Sequence, residues 1–119
     1  MKTYRDLGVW QKAMQLVTQV YFVTKEFPKE EIYGLTSQIR RCSVSIPSNI
    51  AEGYGRSSTN DYLRFLQIAS GSLYELQTHL EICLNLKYLS KEIFEDVHEK
   101  SREIERMLSS LMRKLGLPK

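Results

Sequence analysis

Apolar residues return at alternating steps of four and three along successive stretches of this chain, and that spacing is the signature of a helix with one apolar seam. Val9, Ala13, Leu16, Val20, Val23 and Phe27 form the first seam. Ile32, Leu35, Ile39, Cys42, Ile46 and Ile50 form the second, and Tyr62, Leu66, Ala69, Leu73, Leu76, Leu80 and Cys83 the third. The fourth reads Phe94, Val97, Ser101, Ile104, Leu108, Leu111 and Leu115. A strand would need a period of two, and no stretch has one.

Helix-breaking residues separate the seams. Pro28 pushes Phe27 out of helical backbone and suits the first turn of a new helix, so the spacing predicts helices over about Asp6 to Glu26 and from about Lys29. Gly53 or Gly55 is the expected end of the second helix, through a left-handed glycine cap. Ser58 followed by Asp61 is a capping pattern for a third helix over about Asn60 to Lys87, roughly 40 Å long if unbroken. Ser90 starts a fourth, with Gly116 and Pro118 as stop signals. Four helices with short connections and seams of 3.5-residue period predict an all-α fold, an antiparallel up-down-up-down four-helix bundle occupying residues 1–119 as a single domain.

One proline falls inside a seam. Pro47 cannot donate to the carbonyl of Ser43 and its ring crowds that carbonyl, which predicts a kink in the second helix. Asn49 and Glu52 follow at once, placed to satisfy backbone groups and to meet an arginine, and Gly53 closes this polar turn.

A chain of this length buries about two thirds of its unfolded surface without a disulfide or metal staple. Cys42 and Cys83 both fall on seams, lack Cys-x-x-Cys spacing and read as buried reduced thiols. No apolar run reaches the ~20 residues of a membrane span and no signal-peptide pattern opens the chain, so a cytoplasmic location without membrane association is the expectation. His79 and His98 read as surface histidines: Glu95 and His98 have Glu-x-x-His spacing, but Leu76 stands where His79 would need its glutamate, so a carboxylate-bridged metal site fails. Neither a metal, a cofactor nor a catalytic residue is assigned, and the chain is expected not to be an enzyme.

The net charge of +3 is modest, and its placement matters more than its size. Residues 38–64 hold Arg40, Arg41, Arg56 and Arg64 against Glu52 and Asp61. These arginines, with Tyr54 in the turn as a base-stacking aromatic, are the candidate nucleic-acid contacts through backbone phosphates. Extra apolar stripes on the first and third helices, among them Trp10, Met14, Tyr21, Phe65 and Ile68, exceed what one bundle core needs and mark a candidate oligomer interface.

The segments Asp6-Leu-x-Val-Trp-Gln-Lys-Ala-Met14, Phe27-Pro-Lys-Glu30, Tyr33-Gly-Leu-Thr-Ser-Gln-Ile-Arg-Arg41, Ser45-Ile-Pro-Ser-Asn-Ile-Ala-Glu-Gly53 and Gly71-Ser-Leu-Tyr-Glu-Leu76 together resemble a known family. These are the bacterial four-helix-bundle proteins encoded in intervening sequences of 23S ribosomal RNA genes, related to the accessory variability proteins of diversity-generating retroelements. The resemblance implies a homo-oligomer, a pentameric ring with a basic surface. In the retroelement branch it also implies binding to RNA or DNA and to a partner reverse transcriptase. The chain is less cationic than that branch. The resulting expectation is a non-enzymatic oligomeric bundle with weak, phosphate-mediated nucleic-acid binding, and its rival is a self-assembling interaction scaffold with no nucleic-acid role.

Overall fold

The computed structural model describes residues 2–116. Pro118, expected as a stop signal, lies outside them. The described residues form a four-helix bundle with no strand: α1 Gly8–Thr24, α2 Leu35–Tyr54, α3 Thr59–Asn85 and α4 Lys91–Lys114, with short 3-10 turns at Tyr4–Asp6 and Lys29–Glu31. Consecutive helices pack on one another, α1 also packs on α4, and α2 against α3 is the most extensive interface.

The seams fill the core. Ala13, Leu16, Val20, Ile39, Ile46, Ile50, Leu66, Ala69, Leu73, Leu76, Leu80, Cys83, Val97, Ile104 and Leu108 are all buried, each large aliphatic side chain contributing about 1.5–3 kcal/mol relative to leaving it in water. Ser101, also on its seam, is fully buried. It manages this by donating to the His98 carbonyl at 2.6 Å while accepting from Gln77 Nε2 at 3.1 Å.

Several boundaries differ from the sequence expectation. α1 begins at Gly8 because Tyr4–Asp6 closes a turn of its own, in which Thr3 Oγ1 accepts from the Arg5 amide and Asp6 Oδ2 from the Thr3 amide. α2 begins at Leu35 rather than at Lys29. Gly34 (φ −115°, ψ −115°) interrupts the helix there, so Ile32 falls outside the seam and is 54% exposed. Glu31 substitutes for a cap: its Oε1 accepts from the Leu35 amide at 3.2 Å, and its Oε2 accepts from the Tyr88 hydroxyl at 2.9 Å.

The expected left-handed glycine stop of α2 is absent, since Gly55 has right-handed angles (φ −80°, ψ −4°). Gly53 is a helical residue whose lack of a side chain serves packing: a Cβ there would stand 2.8 Å from the Cβ of Phe65 and 3.0 Å from Cδ1 of Tyr62. The left-handed stop occurs on α3 instead, at Lys87 (φ 65°). The Tyr88 amide donates to the Cys83 carbonyl at 2.9 Å and the Lys87 amide to Leu84 at 3.0 Å, the paired bonds of a Schellman termination. Near the end of α4 the four-step repeat continues, so that Met112 is buried while Leu111 and Leu115 are half-buried.

α2 runs without interruption through Pro47, which is itself buried. Beside the proline, Asn49 Nδ2 donates to the Ser45 carbonyl at 2.8 Å and to Ser45 Oγ at 3.0 Å, and the Ser45 and Ser72 hydroxyls meet at 2.8 Å. A polar ladder thus crosses from α2 to α3 where the backbone ladder lacks a donor.

Candidate functional site

The four arginines fall into separate groups. Arg40 and Arg56 are sixteen positions apart in sequence, which along a helix is about 24 Å. Arg40 is half-buried and directed at the end of α1: its Nε donates to Thr24 Oγ1 at 2.9 Å, and its guanidinium carbon lies 4.6 Å from the centre of the Tyr21 ring. A fixed cation at a helix C-terminus complements the dipole there, so Arg40 has a structural partner. Arg41 points elsewhere. It is exposed, donates to Ser37 Oγ at 3.2 Å, and has no carboxylate partner among the described residues.

Arg56 and Arg64 flank the turn between α2 and α3. Their guanidinium carbons lie 4.6 and 5.5 Å from the centre of the Phe65 ring. Arg56 pairs with Glu52 at 3.0 Å and Arg64 with Asp61 at 3.7 Å, yet their side chains stay 44% and 66% exposed. Exposed pairs of this kind are worth about 0.3–0.5 kcal/mol, so a phosphate can displace the carboxylates at little cost. Tyr54 is half-buried and packs edge-on to Tyr62, ring centres 6.2 Å apart. This fixes its ring within the α2–α3 contact that Gly53 makes possible.

The candidate interface residues also divide. Trp10 and Met14 line a cleft of about 390 Å³ between α1 and α2, together with Tyr4, Val17, Val44, Pro47, Ser48 and Ala51. Tyr4 and Trp10 meet edge to face at 5.1 Å, and Met14 and Val44 are 42% and 39% exposed. Pro47 therefore forms part of a groove wall as well as interrupting a hydrogen-bond ladder. Tyr21 lies under Arg40, Phe65 under the two arginines, and Ile68 is exposed on α3. The sequence pattern pointed to the α1 side of the groove. Val44 and Ala51, its α2 side, carried no signal, because single apolar residues off a seam are common on any surface.

The histidines are not both surface residues. His79 is only 13% exposed, and its Nδ1 is buried without a hydrogen-bond partner among the described residues. His98 is half-buried and stacks on Phe94 with ring centres 5.1 Å apart. One group of metal-ligating residue types converges among the described residues: Cys42 on α2 with Glu75 and His79 on α3, their ligand atoms all within 4.8 Å of one another. Burial, and secondarily the Glu75 carboxylate, pushes the Cys42 thiol up to about 12. Burial likewise raises Cys83 to about 11, so neither thiol is ionised near neutrality.

An all-helical four-helix bundle with an apolar α1–α2 groove and scattered surface arginines is the class of protein that these features define. The chain matches the family described as 23S rRNA-intervening sequence protein over residues 5–110, and it belongs to that family. Its fold is similar to the crystal structure of a Bacteroides thetaiotaomicron protein of the S23 ribosomal protein family, with a TM-score of 0.82 and 26% identity over 88% of this chain and 95% of that one. No curated protein matches the chain in sequence. No helix of the described residues is long and apolar enough to cross a membrane.

Proposed function

We propose that this protein is a non-enzymatic, self-associating bundle whose working form is a homo-oligomer, the family resemblance favouring a pentameric ring. Its helices run up-down-up-down and antiparallel, with α2 bent at Pro47; the short connections and the packing of α1 on both α2 and α4 support this arrangement. The α1–α2 groove carries the reading. Met14, Val17, Val44 and Ala51, beside a Trp10 that packs partly against the core, leave an apolar surface in the groove, and such surfaces mark interfaces. The scaffold role is favoured over a dedicated nucleic-acid binder because Arg40 is engaged with α1 and Tyr54 with Tyr62.

A second reading rests on Arg41, which lacks a carboxylate partner among the described residues, and on the weakly paired Arg56 and Arg64. Repeated around a ring, these cations hold RNA or DNA phosphates, and in the retroelement branch the assembly serves a reverse transcriptase. The proposed place of action is the cytoplasm.

Light scattering on the purified protein, with RNA binding measured from ~50 to 200 mM salt, tests both. A Met14→Glu/Val44→Glu variant that stays folded yet dissociates supports the groove as interface, and an oligomer unchanged in mass refutes it. Three phosphate contacts predict about a forty-fold loss of affinity over that salt range. Unaltered affinity in an Arg41→Ala/Arg56→Ala/Arg64→Ala variant refutes the second reading.

A further inference from the structure

We propose that Cys42, Glu75 and His79 form a three-ligand site for a zinc-class divalent cation, with a fourth coordination position facing the cleft beside Arg41. The thiol sulfur, a carboxylate oxygen and an imidazole nitrogen already stand within 4.8 Å of one another. Ligands at ~2.0–2.3 Å around one tetrahedral ion lie about 3.5 Å apart, so closure needs a contraction of roughly an ångström. Glu75, exposed and one helical turn from His79, has the freedom to supply it: its Oε2 is 3.9 Å from His79 Nε2, too long for a hydrogen bond. A mixed sulfur, nitrogen and oxygen set is the donor chemistry of zinc and its cobalt substitute rather than of magnesium or calcium.

Two features of the unliganded chain are otherwise idle. His79 Nε2 faces Glu75 with no hydrogen bond between them, although only 13% of the side chain is exposed. The Cys42 thiol makes only a 3.4 Å contact to the Ile39 carbonyl of its own helix. A cleft of about 180 Å³ opens beside Cys42 and Glu75, with Gln38, Arg41, Ser45 and Ser72 as its polar walls. It gives the ion a path in and room for a water on the fourth position. Binding replaces the S–H bond by a metal–sulfur bond and releases the proton to solvent. The pairing of α2 with α3 is thereby clamped by a bond that neither helix makes alone.

Titration of the reduced full-length protein with cobalt(II) tests the site. The expected result is one equivalent bound with thiolate-to-cobalt charge-transfer absorption and strong tetrahedral visible bands, displaced by zinc. Cys42→Ser abolishes the charge-transfer band, while Cys83→Ser retains it. Glu75→Gln, a change at an exposed position that leaves the core intact, weakens binding by at least about tenfold, the scale on which even outer-shell partners act. His79→Gln does the same, its fold checked by helical circular dichroism. Absence of the thiolate band in the parent protein, its survival in Cys42→Ser, or unchanged affinity in Glu75→Gln overturns the proposal.

Discussion

Replacing Gly53 and Gly71 by alanine, one at a time, separates two roles of glycine in the same kind of backbone. Both residues are helical, so alanine is favoured at each by up to about 1 kcal/mol, somewhat less at Gly53 because it lies one residue from the end of α2. At Gly71 a Cβ would meet nothing within 4 Å. Gly71→Ala is therefore expected to stabilise the protein by about 0.8–1 kcal/mol.

At Gly53 the new Cβ would lie 2.8 Å from the Phe65 Cβ, 3.0 Å from Tyr62 Cδ1 and 3.3 Å from the Tyr62 carbonyl oxygen. Carbon atoms pack at about 3.5–4.0 Å, and the Phe65 Cβ is fixed to its backbone, so α2 and α3 must separate by about 0.7 Å or more. Overpacking of that kind costs ~1–3 kcal/mol, and the net effect of Gly53→Ala is a loss of about 1–2 kcal/mol. The two variants should differ in melting temperature by roughly 6–15 °C, taking about 3–5 °C per kcal/mol for a chain of this size. Thermal unfolding followed by circular dichroism measures this directly. If Gly53→Ala melts as high as Gly71→Ala, the close approach of the two helices is not what Gly53 provides.

Lys87 occupies the left-handed residue of the α3 termination, where a Cβ costs about 1–2 kcal/mol, so Lys87→Gly should raise stability by about 1 kcal/mol in denaturant unfolding, with no change in slope. Asp96 is held below its ordinary value of 3.8 by hydrogen bonds from Gln19 and then Lys100. A carboxylate depressed in the folded state contributes stability that is present above the unfolded value and lost as pH falls through the folded one. Asp96→Asn should therefore flatten the decline in melting temperature below pH 4, and a decline identical to the parent's would assign the acid sensitivity to other groups, Asp6 first among them.

The helices were legible because the code for them is local. Leu66, Ala69, Leu73, Leu76, Leu80 and Cys83 stand on one seam in the sequence and are all buried on α3. Ile32 misled because it keeps the spacing of α2 while Gly34 removes it from the helix, and a single glycine before a periodic run is a weak breaker beside a proline. Gly53 reads in the sequence as a helix stop, whereas its role is a close approach to Phe65, which depends on a second helix that spacing alone cannot place. The sequence presents Arg40, Arg41, Arg56 and Arg64 as one set of phosphate contacts, but the capture of Arg40 by Thr24 and the gathering of Arg56 and Arg64 over Phe65 are properties of packing. Cys42 and His79, 37 positions apart in sequence, converge only because α2 and α3 lie side by side.

The carboxylate of Glu31 joins events that are far apart in the chain. One oxygen holds the first amide of α2 and the other holds Tyr88, 57 residues away in the turn after α3. The chain between those residues contains two whole helices, α2 and α3. Closing a contact of such separation costs more chain entropy than closing a local one, though the cost grows only slowly with loop length. The Glu31 carboxylate thus ties the start of α2 to the α3–α4 turn, so a change at this one side chain removes a partner from both.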